Sequence, residues 1–307
     1  MSSRSLPSGL APGARIAVVA PGSPIDPPAL RAGMERLRSW GYRPVAAPHL
    51  RARRGDLAGN DRVRLADLVW ALSDDGIDAV WAARGGWGGA RLLGGLPAAL
   101  VRGGTRKWLY GFSDLTAIQN HLVGHGWCTW YAPLVADLGR PERYAAAALR
   151  RMLESPEVPG RISARGPVLR PGRARGRLAG GCLSLLAALA GTPWQPDFRG
   201  AILFLEEVGE APYRIDRMLW QIRASGMLEG VRGLALGQFT ACRPPPGRPS
   251  RSLREVLREF AGEAGVPCVA GFPCGHGRAS RPLPLGYEAD LDGRARVLAY
   301  RPPARAR

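Results

Sequence analysis

The sequence predicts an α/β fold in which a doubly wound parallel sheet is followed by a second α/β domain. Short apolar runs alternate with stretches whose apolar residues recur at helical spacing, a pattern typical of parallel sheets covered by helices on both faces. Residues 156–176, rich in proline, glycine and arginine, interrupt this alternation. We therefore expect an N-terminal domain over residues 1–155, a linker over 156–176 and a C-terminal domain over 177–307.

The N-terminal domain is predicted from apolar runs and from the helical patterns between them. Strands are expected at residues 16–20, 42–47, 77–83, 107–110 and 128–132. Helices are expected at residues 29–40 and 61–72 and immediately after Ser113. Because ligands of such sheets bind beyond the carboxyl ends of the strands, a functional site is expected in the loops that follow them.

The C-terminal domain continues the alternation of helices and strands. Helices are expected at residues 183–190, 213–225 and 253–261, and strands at 201–205, 233–240 and 267–270. Residues 287–300 have the pattern of a β-hairpin around Asp292 and Gly293.

The net charge of +18 and the pI near 11.1 suggest nucleic-acid binding, but the distribution of the charge argues against it. Lys107 is the single lysine among the 43 basic residues, and the arginines are scattered through predicted helices, loops and both ends of the chain. A binding surface for nucleic acid has clustered basic residues interleaved with aromatic ones. We interpret the charge as a bias of composition and expect no nucleic-acid partner.

The cysteines and the apolar runs exclude other classes of protein. The five cysteines are odd in number, irregularly spaced and without a C-x-x-C pair, so neither a disulfide framework nor a metal site is expected. No apolar run approaches the ~18 residues that a membrane span needs. The first residues lack the apolar core of a secretory signal, so we expect a cytoplasmic protein with no membrane partner.

Ser113 is the candidate nucleophile. A strand-like run breaks at Gly111, and a helical pattern begins directly after Ser113. A sharp turn from strand to helix holds a serine hydroxyl at the carboxyl end of a sheet, beside the N–H groups of the helix N-terminus. The alternative is that Ser113 or Asp114 merely caps the helix and Gly111 makes the turn.

His276 is the best candidate for the base that an alcohol nucleophile requires. It follows the predicted strand 267–270 and stands between two glycines, in a loop suited to close approach. His121 and His125 lie roughly two to three turns beyond Ser113 along the predicted helix, and His49 lies in a polar loop. An exposed loop histidine without function is the alternative for His276.

Glu206 and Glu207 end a strand that is otherwise apolar, and Glu206 fits the residue that orients the histidine. Because side chains alternate along a strand, only one of the two carboxylates faces the site. The alternative, which also covers Glu210, is a solvated strand end or pairing of the glutamates with Arg214 and Arg217 on the next helix.

The segment Arg84–Gly89 is a glycine-rich loop after the third predicted strand. It lacks the Lys-[Ser/Thr] of a phosphate-binding loop, and its glycine spacing differs from G-x-G-x-x-G, so nucleotide binding is not indicated. The backbone N–H of Gly86, together with that of Asp114, is a candidate oxyanion hole. A plain flexible turn is the alternative.

Five segments in the same order carry a resemblance to a known family: Arg84–Gly88, Gly111–Thr116, Leu203–Glu210, Tyr213–Leu219 and Gly271–His276. Together they resemble the LD-carboxypeptidase family of serine peptidases, which includes the microcin-C immunity peptidases. The resemblance implies a flavodoxin- or glutaminase-like N-terminal domain, a smaller C-terminal α/β domain and a homodimer. It also implies a catalytic triad of Ser113, Glu206 and His276, drawn from both predicted domains. The resemblance leads us to expect asparagine at the position of Cys182, so this residue departs from the family pattern.

The resemblance further implies a cytoplasmic serine carboxypeptidase that hydrolyses an L,D-amide bond. Its substrate is expected to be a small peptide, the murein tetrapeptide, which loses its terminal D-alanine during cell-wall recycling. No metal or organic cofactor is expected. Two alternatives remain open: a peptidase that cleaves a peptidyl-nucleotide antibiotic, and a basic nucleic-acid-binding protein without catalysis.

Overall fold

The structure, a computed structural model, describes residues 6–104, 107–247 and 249–303. The described chain divides into two units. The first contains the residues up to Val158 together with Arg278–Pro284, and the second contains Pro159–Gly277 and Leu285–Pro303. The chain therefore enters each unit more than once.

The strands of the described residues are numbered in chain order. They are β1 Arg15–Val19, β2 Arg43–Ala46, β3 Ala79–Ala82, β4 Trp108–Gly111, β5 Thr129–Tyr131, β6 Gly160–Ser163, β7 Val168–Arg170, β8 Arg173–Cys182, β9 Ala201–Val208, β10 Gly233–Thr240, β11 Cys268–Ala270, β12 Leu283–Leu285, β13 Glu288–Asp292 and β14 Val297–Arg301.

The α-helices follow the same numbering. They are α1 Pro27–Ser39, α2 Asp61–Ser73, α3 Ala98–Arg102, α4 Thr116–Gly124, α5 Val135–Leu138, α6 Ala146–Glu154, α7 Leu183–Leu189, α8 Pro212–Ala224 and α9 Leu253–Ala264. Shorter 3-10 helices cover Gly89–Gly95, Ser113–Leu115 and Pro141–Arg143. No described helix has the length and apolar character needed to cross a membrane.

The first sheet has the order β12-β5-β4-β3-β1-β2. Strands β1 to β5 pair in parallel, and without β12 their order is that of flavodoxin-like sheets. The apolar side chains of β1, β3 and β4 are buried because helices cover both faces. In this order β1 and β3 are neighbours whose connections leave in opposite directions, so the loops after them form the expected ligand-binding end of the sheet.

The second sheet has the order β6-β14-β13-β8-β9-β10-β11-β7. Its centre, β8 to β11, is parallel, and its flanking strands pair antiparallel. This architecture confirms the predicted α/β class with a parallel N-terminal sheet. Strand β9 extends to Val208, three residues beyond its predicted end, so Glu206 and Glu207 are part of the strand.

The segment expected to be a linker holds secondary structure instead. Strands β6 and β7 and the start of β8 lie within residues 156–176. The prolines do not prevent these strands because they stand outside them: Pro159 precedes β6, Pro167 precedes β7 and Pro171 separates β7 from β8. Proline is tolerated at the start of a strand, where no ladder hydrogen bond is lost.

Candidate active site

Ser113 occupies a strained turn at the carboxyl end of β4. The strand ends at Gly111, the 3-10 helix begins at Ser113, and α4 continues from Thr116. The φ of Ser113 is 63°, in the left-handed region that residues other than glycine rarely adopt. Such conformations cost on the order of 1–3 kcal/mol and concentrate at functional sites. The partly exposed Ser113 therefore has the strained geometry of a nucleophile held at the tip of a strand-to-helix turn.

Buried polar groups hold this turn. The Gln119 side chain of α4 donates from Nε2 to the carbonyl oxygens of Gly111 at 3.1 Å and Trp130 at 2.9 Å. The hydroxyl of Tyr131, at the end of β5, accepts the N–H of Ser113 at 3.4 Å. Neither Gln119 nor Tyr131 was identified from the sequence, where both resemble ordinary members of an apolar segment. Their hydrogen bonds fix the backbone on each side of the serine.

The glycine loop after β3 lies directly against Ser113. A Cβ at Gly85 would be 2.8 Å from both Cβ and Oγ of Ser113, so a side chain at this position would displace the serine. The loop is attached to the segment after β1, because Ser23 donates its N–H to the Gly85 carbonyl at 3.0 Å and accepts the Trp87 N–H at 3.3 Å. The structure thus brings the predicted loop and the predicted nucleophile together.

Asp114, whose backbone N–H is a predicted oxyanion donor, has a buried side chain. The residue is 1% exposed, and its Oδ2 accepts the N–H of Gly89 at 2.8 Å. Burial raises the pKa of Asp114 from 3.8 to about 6, although the Gly89 N–H and the positive charge of Arg64 act to lower it. The carboxylate is therefore a titratable group next to Ser113.

Glu206 and His276 form a buried pair in the second unit. Glu206 is fully buried on β9 and accepts both the backbone N–H of His276 at 3.1 Å and its Nδ1–H at 2.8 Å. The loop reaches the carboxylate through Gly275, whose φ is 122° and whose Cβ would overlap Glu206 Oε2. With a proton on Nδ1, the basic nitrogen of the imidazole is Nε2.

Glu207 points to the opposite side of β9, as strand alternation requires. Its carboxylate accepts the N–H groups of Ser184 at 2.7 Å and Val208 at 2.8 Å, and burial raises its pKa. Cys182 Sγ lies 3.6 Å from the same carboxylate, and burial, with the two glutamates nearby, raises the thiol pKa well above its ordinary value.

The alternative of a solvated strand end is wrong for Glu206 and Glu207, because both residues are buried. Pairing with Arg214 holds for Glu210, at 3.4 Å.

The other histidines belong to different surroundings. His49 Nδ1 lies 2.8 Å from the Asp67 carboxylate. The rings of His121 and His125 are 4.8 Å apart at the end of α4, and burial lowers the pKa of His121. Within the described ranges, no group of three or more His, Cys, Asp or Glu residues is arranged to hold a metal ion.

The predicted site residues thus fall into two groups. Ser113 lies with the glycine loop and Asp114 in the first unit, and Glu206 lies with His276 in the second. A strained serine beside backbone donors, and a histidine oriented by a buried carboxylate, are elements of hydrolytic sites. Fold and site residues therefore define the class as an α/β hydrolytic enzyme.

Comparison with known families identifies the chain more closely. Residues 16–132 match the LD-carboxypeptidase N-terminal domain, and residues 175–291 match the LD-carboxypeptidase C-terminal domain. The chain belongs to the LD-carboxypeptidase family, which confirms the resemblance seen in the sequence. The members of this family are carboxypeptidases. Residues 133–174 lie between the two matched regions.

Individual relatives span almost the whole chain. A protein from Streptomyces coelicolor is 42% identical over 304 residues, which are 97% of this chain and 96% of the relative. The murein tetrapeptide carboxypeptidase of Pseudomonas aeruginosa is 34% identical over 288 residues, 91% of this chain and 93% of the relative.

Solved structures share the same fold. The muramoyltetrapeptide carboxypeptidase of Oxalobacter formigenes has a TM-score of 0.83 at 31% identity, covering 94% of this chain and 100% of that chain. The microcin C7 self-immunity protein MccF, solved in complex with glutamyl sulfamoyl guanosine, has a TM-score of 0.86 at 20% identity. The match covers 98% of this chain and 99% of that chain. The likeness to MccF is one of fold alone.

Proposed function

We propose that the protein is a serine carboxypeptidase that releases the terminal D-alanine of the murein tetrapeptide by hydrolysis of an L,D-amide bond. The observation that carries the proposal is the contact between the buried Glu206 carboxylate and Nδ1 of His276, because it prepares Nε2 to accept a proton. The names of the Pseudomonas and Oxalobacter relatives support the substrate.

Ser113 is the nucleophile in this proposal. Its Oγ attacks the carbonyl carbon of the scissile amide while His276 Nε2 takes the hydroxyl proton. The oxyanion that forms accepts hydrogen bonds from the backbone N–H groups of Gly86 and Asp114. When the tetrahedral intermediate collapses, the C–N bond breaks and His276 gives its proton to the amine of the departing D-alanine.

Water completes the cycle. His276 takes a proton from water, the hydroxide attacks the acyl-enzyme ester, and the Ser113 oxygen leaves with the proton returned by His276. Glu206 holds the Nδ1 side of the imidazole and stabilises the imidazolium that forms twice in each turnover. The products are the shortened peptide and free D-alanine, and the steps require no metal or organic cofactor.

The test measures D-alanine release from purified murein tetrapeptide. Wild-type protein is expected to release one equivalent, and Ser113→Ala is expected to lose at least a thousandfold in kcat. A peptide that ends in an amidated D-alanine is the substrate control, because a carboxypeptidase requires the free carboxylate. Full activity of Ser113→Ala would overturn the proposal.

A second measurement asks whether the three residues act together. Groups that form one catalytic unit are strongly non-additive, so the double variant Ser113→Ala with His276→Ala is expected to be no slower than Ser113→Ala alone. Glu206→Gln is expected to lower kcat while leaving the thermal unfolding temperature nearly unchanged. Multiplicative losses in the double variant would show that the serine and the histidine act separately.

The peptidyl-nucleotide alternative is decided in the same assay. An aminoacyl-sulfamoyl adenylate is offered in place of the tetrapeptide, and the ratio of the two kcat/KM values gives the preference. We expect the tetrapeptide to be preferred. Salt-sensitive binding of nucleic acid that survives Ser113→Ala, without hydrolysis of either substrate, would favour the non-catalytic alternative instead.

The proposal includes a cytoplasmic homodimer, as the family resemblance implies. Sedimentation analysis of the purified protein is expected to give twice the mass of the 32.9 kDa chain. Fractionation of the source cells is expected to place the activity with cytoplasmic markers. A monomer, or activity outside the cytoplasm, would contradict these two points without affecting the chemistry.

A further inference from the structure

Two buried charges hold one peptide group of the glycine loop. The carbonyl of Gly88 accepts a hydrogen bond from Arg64 Nη1 at 2.9 Å, and the N–H of Gly89 donates to Asp114 Oδ2 at 2.8 Å. These two groups belong to the single peptide group that joins the two glycines. The Arg64 side chain is fully buried and Asp114 is 1% exposed, so water screens neither bond.

Arg64 is itself fixed by several partners. Besides Gly88, its guanidinium donates to the Pro21 carbonyl after β1 and pairs with Asp61 in the first turn of α2. It therefore joins the loop after β1, the glycine loop and α2 in one network. The cation faces the carbonyl side of the peptide group, and the anion faces the N–H side, which matches the direction of the peptide dipole.

The carboxylate of Asp114 has a feature that packing does not explain. Its second oxygen, Oδ1, is buried and has no hydrogen-bond partner among the described residues. An ionised carboxylate in this position is costly, whereas an asparagine oxygen would accept the Gly89 N–H at lower cost. A charge retained at a cost to stability, next to the nucleophile, points to a role in function.

We propose that Asp114 is a positioning residue, whose ionised side chain holds the glycine loop against Ser113 so that the loop N–H groups are placed to receive the oxyanion. The inference rests on the proposed function. One residue then controls both parts of the oxyanion hole, since its own N–H is one donor and its carboxylate fixes the loop that carries the other. The loop contact with Ser113 through Gly85 transmits this control.

The position of the loop then depends on the protonation of Asp114. The charged group that faces the Asp114 carboxylate is Arg64 of α2. The other groups that face it are uncharged: Gly22 in the loop after β1, and backbone groups of the glycine loop. Protonation of Asp114 weakens its bond to the Gly89 N–H and releases the loop. Protonation of Asp114 therefore lowers kcat at acid pH.

The test is the variant Asp114→Asn, which keeps the shape and the backbone N–H of the residue. With murein tetrapeptide between pH 5 and pH 9, we expect about a tenfold loss of kcat at pH 8 with KM nearly unchanged. The acid limb of log kcat is expected to be shallower than in the wild type, because the titration of Asp114 is removed. Asp67→Asn is the matched control, because Asp67 is also buried and also accepts a backbone N–H, that of His49. The Asp67→Asn control is expected to keep the acid limb of the wild type.

A second measurement does not depend on activity. Amide hydrogen exchange of peptides covering residues 85–95 is expected to be about tenfold faster in Asp114→Asn than in the wild type at pH 8, and equal at pH 5. Wild-type kcat and an unchanged acid limb in Asp114→Asn, or equal exchange at pH 8, would overturn the inference. If the wild-type protein releases no D-alanine, the proposed function has failed, and the exchange measurement still decides the role of Asp114.

Discussion

The buried carboxylate of Asp114 leads to a quantitative prediction about the free energy of unfolding. The pKa of Asp114 rises from 3.8 to about 6 in the folded protein because the side chain is buried. At about 1.4 kcal/mol for each pH unit, this shift corresponds to roughly 3 kcal/mol. Since the folded pKa lies above the unfolded one, the folded state binds more protons between these values, and stability falls as the pH rises through the folded pKa.

The perturbation is Asp114→Asn, which removes this titration. Below about pH 3 the carboxyl group is protonated in both states, and the variant and the wild type differ by a constant. Between about pH 3 and pH 7 the wild type is expected to lose about 3 kcal/mol that the variant does not lose. The variant therefore gains stability relative to the wild type while it loses activity, the opposite of what a purely structural carboxylate would give.

The assay is urea unfolding at several pH values, followed by tryptophan fluorescence. The buried tryptophans of the first unit are Trp81, Trp108, Trp127 and Trp130. The quantity compared is the free energy of the transition in which that unit unfolds. A difference between variant and wild type that stays constant within about 0.5 kcal/mol from pH 4 to pH 7 would refute the reasoning.

Two further predictions concern close contacts of glycines. Gly85→Ala places a Cβ 2.8 Å from Ser113 Oγ and is expected to lower kcat at least a hundredfold. The control is Gly262→Ala, because Gly262 lies on α9 with open space around it. This control is expected to raise stability by about 1 kcal/mol and to keep full activity. Gly275→Ala requires a φ of 122° and overlaps the Glu206 carboxylate, so it is expected to lower both kcat and the unfolding temperature. Wild-type kinetics in either Gly85→Ala or Gly275→Ala would contradict the contact concerned.

Local pattern was sufficient for most of the elements. Strand β10 covers the predicted residues 233–240, and α2 begins at the predicted Asp61 because Asn60 caps it by accepting the Val63 N–H at 3.1 Å. Hydrophobic period and capping chemistry are properties of neighbouring residues, so they can be read without knowing the fold.

Long-range pairing was not predictable in the same way. Strand β6 pairs with β14, far along the chain, and neither its short length nor its composition shows that partner. Strand β12, which lies beside β5 in the first sheet, was missed for the same reason. Pairing of this kind depends on tertiary contacts rather than on the local sequence.

The site was predicted in part. The Ser113 turn and the loop of His276 have local signals, a glycine break and flanking glycines. Arg64 has none, because it lies near the start of an ordinary helix and meets the glycine loop only in the folded chain. The choice between Glu206 and Glu207 was open in the sequence, since alternation says that the two diverge but not which one reaches His276.

The position of β12 has a consequence for any attempt to divide the protein. This strand comes from near the C-terminus, yet it forms the border of the sheet that carries Ser113. A recombinant fragment ending at Val158 would expose the unpaired backbone of β5, a surface that invites aggregation. The segment up to Val158, which contains Ser113, therefore lacks one strand of its own sheet.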